Sequence, residues 1–176
     1  MENIEVIEAD ITDVEKIQKI GKQTFSETFS SSNAAENMVQ YLAEGFSIEK
    51  LTKQLTNPDS TFYLALDNNN VIGYLKINVG LSQTELKDNT ALEIERIYVL
   101  KAYQGKKIGQ LLYDKAIQVA NEKKVEYVWL GVWEENTRAL HFYKKNGFVE
   151  FDKHLFKLGN DVQTDLMMKL QLTNNS

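Results

Sequence analysis

The 176 residues suit one compact domain, the 43% apolar fraction is enough for a core, and 20 basic residues against 25 acidic ones leave a net charge of -5. That balance lacks the basic footprint of nucleic-acid binding; it aids solubility and is permissive of cationic substrates. The absence of cysteine excludes disulfides, thiolate nucleophiles and Cys-ligated zinc. With only His141 and His154, and no carboxylates at ligand spacing, no metal site is expected.

The N-terminus, MENIEVIEADITD, is acidic and has no apolar run, so it does not read as a signal peptide. No segment approaches the ~20 apolar residues of a membrane span, and the expected location is the cytoplasm. Residues 2–8 alternate around Ile4 and Val6 and predict an opening strand. Thr12-Asp-Val-Glu15 has the form of a capping box, ahead of a helix carrying Val14, Ile17, Ile20, Phe25 and Phe29. After the polar break at 30–33, a second helix runs through Met38, Tyr41 and Leu42. Ser47 caps a third, which carries Leu51 and Leu55 and stops at Asn57-Pro58.

Residues 61–67 and 71–79, joined by Asn68–Asn70, predict a β-hairpin. A polar loop at 80–90 leads to a strand at 91–99, a glycine-containing turn, and an amphipathic helix through Ile108, Leu111, Leu112, Ala116 and Val119. A strand at 126–133 precedes a helix through Ala139, Phe142 and Tyr143 that ends at Gly147. Strands at 148–156 and 162–172 close a single domain, 1–172, with a frayed tail at 173–176. This order implies an α/β (α+β) fold, a mixed sheet with helices on both faces.

The turn after 91–99 is where phosphate chemistry belongs. A helix start presents unpaired N–H groups and the positive end of the helix dipole, glycine admits close approach, and Lys106 and Lys107 add charge at the rim. The segment is read equally as an ordinary strand-to-helix turn. Its wider context is more specific. Ile97-Tyr98-Val99 followed by Gln104-Gly-Lys-Lys-Ile-Gly109 resembles motif A of the GNAT acetyltransferase superfamily, Gln/Arg-x-x-Gly-x-Gly/Ala. Residues 136–148, NTRALHFYKKNGF, resemble that family's Asn-x-x-Ala-x-x-x-Tyr-x-x-x-Gly-Phe element. Lys107 stands where the family usually has its first glycine; a backbone N–H survives any non-proline substitution, and helical dihedrals would need no glycine there.

The resemblance implies a single-domain acyl-CoA N-acyltransferase fold, a mostly antiparallel sheet of about seven strands, with acetyl-CoA as cofactor and no metal. It assigns to the cofactor Ile97, Tyr98, Val99, Gln104, Gly105, Lys106, Lys107, Ile108, Gly109, Gln110, Asn136, Ala139, Tyr143 and Lys145. On residues alone, Asn136 is also a helix N-cap and Tyr143 a core position. Gln23-Thr-Phe, Glu27-Thr-Phe, Glu36-Asn-Met, LEIERIYV at 92–99 and WLGVWE at 129–134 further resemble the PaiA-type polyamine (spermidine/spermine) N-acetyltransferases.

Direct transfer to a primary amine needs a proton acceptor, because an alkylammonium of pKa ~10.4 has no lone pair at neutral pH. Glu93 and Glu95, two apart on one strand, share a face and repel, which raises the pKa of one. Glu95 is preferred as the base because it lies nearer Ile97–Val99; solvated or Arg96-bridged carboxylates are the plain reading. Tyr143 is the family-matched acid for the departing thiolate. Glu27, Glu36 and Glu93 are the candidate acceptor-binding acids, with Glu44 nearby. Competing readings are another amine acceptor (a protein N-terminus, a lysine or a small amine) and a non-catalytic acyl-CoA-binding regulator. Neither nucleic acid nor membrane is an expected partner; the chain is a monomer or homodimer.

Overall fold

The computed structural model describes residues 3–172. The opening strand is β1, Ile4–Glu8; Glu2 and the tail expected to fray at 173–176 lie outside the described residues. The capping box sits two residues earlier than the sequence pattern implies. Asp10 accepts from the Thr12 N–H at 2.8 Å, and Asp13 accepts from the Asp10 N–H at 3.0 Å. Together they start a 3-10 turn, Ile11–Asp13, that runs straight into α1, Val14–Phe29. Thr12 and Glu15 are therefore already inside the turn and the helix.

Ile17, Ile20, Phe25 and Phe29 form the buried stripe of α1. α2, Ala35–Gly45, and α3, Ile48–Thr56, follow, and Ser47 Oγ accepts from the Lys50 N–H at 3.2 Å as the expected N-cap. Gly21 makes room for the neighbouring helices to close on α1: a Cβ there would lie 2.5 Å from Phe46 Cε1.

β2, Ser60–Asp67, and β3, Asn70–Val79, form the expected hairpin. Asn68 and Asn69 both have positive φ, 48° and 75°, as a tight turn between right-twisted strands demands. β4, Ala91–Val99, α4, Ile108–Glu122, β5, Tyr127–Trp133, and α5, Thr137–Lys145, come next. The chain then passes through β6, Val149–Leu158, and β7, Asp161–Gln171. The seven-stranded sheet has the order β1-β2-β3-β4-β5-β7-β6 and is antiparallel except between β4 and β5.

One face packs α4 and α5 around Leu75, Leu92, Ile94, Leu112 and Leu130; the other packs α1–α3 around Phe46, Phe62, Leu64 and Tyr74. A fully buried side chain such as Leu112 contributes about 2 kcal/mol. Among the described residues no helix is long and apolar enough to cross a membrane.

Two irregularities of β4 shape the site. Its parallel pairing with β5 runs only from Ala91↔Tyr127 to Ile94↔Leu130, so beyond Ile94 the strands separate. On its other edge the register with β3 slips: Ile77 pairs with Ile94 but Lys76 pairs with Arg96, leaving Glu95 as the extra residue of a β-bulge. The bulge resets the alternation. Leu92 and Ile94 pack on the α4 face before it, and Ile97 and Val99 pack there after it. Glu93, Glu95 and Arg96 instead all border a cavity on the opposite face.

Candidate functional site

The parting of β4 from β5 opens two cavities that meet. One, of about 530 Å³, lies at the head of α4. Ile97, Tyr98, Val99, Gln104, Gly105, Lys107, Ile108, Gly109, Gln110, Asn136, Ala139, Tyr143 and Lys145 all border it, so two sequence blocks some thirty residues apart converge on one space. Of the residues assigned to it from sequence, Lys106 is the exception: its ammonium lies 5.3 Å from the Tyr103 ring centroid, and it does not border the cavity. Thr28, Tyr103, Arg138 and Phe142 border it too and went unpredicted. Phe142 and Arg138 are within reach of sequence reasoning, Phe142 lying three positions from Ala139 and Arg138 four positions from Phe142 on the helical period; Thr28 and Tyr103 arrive only through tertiary packing.

The walls of this cavity suit an anion. Lys107, Arg138 and Lys145 border it and no carboxylate does. No side chain caps the start of α4, so its first N–H groups remain available to a ligand. Gly105 and Lys107 adopt positive φ, 84° and 65°. The expectation that helical dihedrals suffice at Lys107 is thus corrected. With ψ of 18°, Lys107 is left-handed, the conformation that favours glycine and costs an ordinary residue about 1–2 kcal/mol.

Strand geometry supplies a further set of donors. Leu100 donates its N–H to Ile72 O on β3 at 2.9 Å. Successive residues of a strand alternate in direction, so the Val99 and Ile97 N–H groups turn the other way, into the gap that β5 leaves.

The second cavity, of about 270 Å³, lies on the α1–α3 face. Glu85, Glu93, Glu95 and Asp165 border it, against Arg96 and His154. An aromatic wall faces the acids. In it, Phe29 lies 5.1 Å from Trp133 and 6.2 Å from Phe156, and Phe25 stacks on Tyr41 at 4.5 Å between ring centroids. Ile97, Tyr98, Asn136, Ala139 and Tyr143 border both cavities and mark their junction.

Glu93 and Glu95 share a face as expected, but their environments diverge. Glu95 accepts from Lys76 Nζ at 2.6 Å and Asn78 Nδ2 at 2.8 Å, and its other oxygen lies 3.3 Å from Arg96 Nε. Burial works to raise its pKa, but the Arg96 and Lys76 charges and these hydrogen bonds outweigh it and hold the carboxyl at about 2. Glu93, only 3% exposed, accepts from Asn78 Nδ2 at 3.0 Å, from the Thr84 N–H at 2.8 Å and from the Thr84 hydroxyl. Burial pushes its pKa up; the Asn78 and Thr84 hydrogen bonds offset only part of that. The two carboxylates preferred as base and partner from sequence are therefore not equivalent. The two cations beside Glu95 hold it ionised at neutral pH, whereas no cation lies beside Glu93 and its pKa is raised.

The 80–90 loop holds Thr84 in place. Gln83 accepts from Trp129 Nε1 at 2.7 Å and donates to Asp88 O at 2.8 Å. Asn78 is oriented in turn by Ser60, whose hydroxyl donates to Asn78 Oδ1 at 2.8 Å. Neither Asn78 nor Thr84 is marked by spacing in the sequence.

Asn136 is the N-cap of α5, accepting from the Ala139 N–H at 3.2 Å. Tyr143 is buried, 5.4 Å from the Phe142 ring and 5.6 Å from the Phe148 ring. Its hydroxyl makes no hydrogen bond among the described residues, and burial drives its pKa well above the ordinary phenol value. It therefore stays protonated at neutral pH.

Two of the acceptor-side acids do not reach the site. Glu27 accepts from the Lys101 N–H at 2.9 Å and tethers α1 to the turn after β4. Glu36 is exposed in the first turn of α2. Glu44 is likewise exposed and accepts from Gln40. Among the described residues no group of three or more His, Asp or Glu is placed to hold a metal ion.

Comparison with known proteins identifies the family. The model of the acetyltransferase (GNAT) family matches residues 22–148: the chain belongs to this family, as an acetyl-CoA-dependent N-acetyltransferase of GNAT type. It is 36% identical to an uncharacterized N-acetyltransferase in the pepI 3' region of Lactobacillus delbrueckii subsp. lactis, over 98% of this chain and 99% of that one. It is 26% identical to the spermidine N(1)-acetyltransferase of Thermoplasma acidophilum, over 83% of this chain and 88% of that one. The fold is similar to the crystal structure of the PaiA N-acetyltransferase of the same organism in complex with coenzyme A, with a TM-score of 0.80, 24% identity, and 97% and 99% of the two chains covered.

Proposed function

We propose that this chain transfers the acetyl group of acetyl-CoA to a primary amine of a polyamine such as spermidine or spermine. The observation that carries the reading is the pair of oppositely charged cavities meeting at Tyr143. The one with Lys107, Arg138, Lys145 and the open head of α4 suits a pyrophosphate, and the one with Glu85, Glu93, Glu95 and Asp165 suits a cation. The aromatic wall beside those acids suits methylene spacers and ammonium groups. The likeness to a spermidine acetyltransferase supports the same acceptor.

In this reading the cofactor lies along α4 with its thioester at the junction. Glu93, directly or through water, takes a proton from the acceptor ammonium, freeing the nitrogen lone pair. The nitrogen attacks the thioester carbonyl, and the Ile97 and Val99 N–H groups stabilise the negative oxygen. As the C–S bond breaks, the Tyr143 hydroxyl protonates the departing thiolate and regains its proton from the excess one on the new amide nitrogen, and Glu93 returns its proton to solvent. Glu95 keeps its charge throughout, anchoring Lys76 and Arg96 and adding to the field that attracts the substrate.

Thiol release from acetyl-CoA, measured in parallel with spermidine, spermine, a lysine peptide and a free N-terminal peptide, tests this. The expected result is a kcat/KM for the polyamines at least tenfold above that for the peptides. A peptide used better than any polyamine would overturn the acceptor, and acetyl-CoA binding with no thiol release for any amine would overturn catalysis itself.

A further inference from the structure

In the acidic cavity a gap in a row of side chains lies beside a carboxylate that has no hydrogen-bond or ion-pair partner among the described residues. Trp129, Gly131 and Trp133 occupy alternate positions of β5 and so share one face. Both tryptophans are buried, whereas Gly131 is exposed, between buried Leu130 and Val132. The missing side chain is what leaves this stretch of strand open. Asp165 on β7 pairs in register with Trp133 and stands on the same face. A Cβ at Gly131 would lie 3.7 Å from Asp165 Oδ2, its nearest neighbour. That is ordinary van der Waals contact, so a side chain fits at this position sterically but would cover the carboxylate.

Asp165 makes no side-chain hydrogen bond and no ion pair among the described residues, and neither oxygen is sealed from the cavity. Burial raises its pKa, and His154, opposite it in register on β6, works against this. His154 itself is engaged elsewhere, its Nδ1 lying 3.1 Å from Glu85 Oε1. The other acids of the cavity are committed too: Glu93 to Asn78 and Thr84, Glu95 to Lys76, Asn78 and Arg96. Asp165 is thus the one acid of the cavity with no polar side-chain partner among the described residues, and Trp133 lies beside it.

We propose that Asp165 receives the second, non-reacting ammonium of the acceptor, reached over Gly131, and that this contact selects di- and polyamines over monoamines. The inference rests on the polyamine reading above and assigns its specificity to one carboxylate and one absent side chain.

The test compares kcat/KM for spermidine with kcat/KM for butylamine, which has a single ammonium. Each is measured in the wild type, Asp165→Asn and Gly131→Val, with thermal melts confirming that the variants are folded. Losing a charge-assisted contact is expected to lower the spermidine-to-butylamine ratio about tenfold or more in Asp165→Asn. Gly131→Val, which leaves the carboxylate in place but covers it, lowers the same ratio. Asp165→Glu restores part of it. An unchanged ratio in both variants overturns the assignment while leaving polyamine acetylation standing. A wild type that does not turn over spermidine overturns both.

Discussion

Lys107 is the position where a single substitution separates backbone from side-chain effects. Its φ of 65° and ψ of 18° lie in the left-handed region, where a Cβ crowds the following carbonyl at about 1–2 kcal/mol. Glycine removes that crowding but adds about 0.5–1 kcal/mol of unfolded-chain freedom, so Lys107→Gly is expected to stabilise by about 0.5–1 kcal/mol. For a chain of this size that is a rise in Tm of about 1–4 °C. The side chain is exposed, so no packing is lost. Lys107→Ala removes the same charge while keeping the Cβ, and its Tm should stay within about 1 °C of wild type. Differential scanning calorimetry of the three proteins without cofactor reads the difference. A Tm that rises equally in both variants would assign the effect to lost charge, and a fall in the glycine variant would refute the strain argument outright.

The remaining predictions concern the acid–base groups. Thr84→Val removes the hydroxyl that holds Glu93 as a carboxylate, so the acidic limb of kcat/KM against pH should move to higher pH; a move to lower pH, or a uniform loss without a shift, would exclude Glu93 as the group titrating there. Tyr143→Phe should lower kcat on the order of 100-fold with much less change in the acetyl-CoA dissociation constant measured by calorimetry; equal losses in both would make Tyr143 a packing residue for the cofactor. Glu95→Gln leaves Lys76 and Arg96 without their anion and should destabilise by about 3 kcal/mol, read from urea unfolding at neutral pH. Because the Glu95 pKa falls from 4.5 to about 2 on folding, the unfolded chain binds the extra proton between those values, and the wild type loses this contribution as pH drops through that window. Thermal melts across it should fall less steeply for Glu95→Gln, and parallel slopes would show that Glu95 is not the group responsible.

The order and type of the elements were legible because periodicity and turn chemistry are local. Ser47, Asn68, Asn69 and Gly147 each act within a few residues of themselves, and each was readable. The cavity at the head of α4 was legible for the same reason: it is bordered by the start of one helix and the end of one strand. The capping box was misplaced because Asp10 and Thr12 offer competing oxygens two residues apart, and only the geometry of the turn chooses Asp10. The left-handed backbone at Lys107 was missed because residue type alone argued against it. The acidic cavity was least legible. Glu95 owes its low pKa to Arg96 beside it and to Lys76, nineteen positions away, Glu93 owes its anchoring to a loop threonine, and the β-bulge at Glu95 is announced by no residue pattern. Glu27 and Glu36 were placed near the acceptor by analogy, and the helix faces they occupy turn them outward or toward a backbone amide.

The brevity of the β4–β5 ladder has a consequence for how the molecule holds together. Among the strand pairings, only those from Ala91↔Tyr127 to Ile94↔Leu130 join β1–β4 to β5, β7 and β6. The sheet is therefore two well-knit panels meeting along a short seam, and amide exchange should divide along it, each panel opening with its own free energy. A molecule lodged where the strands part would touch both panels, through Ile97 and Val99 on one side and Asn136 and Tyr143 on the other. It would act as a clasp, so saturation with acetyl-CoA should merge two exchange regimes into one.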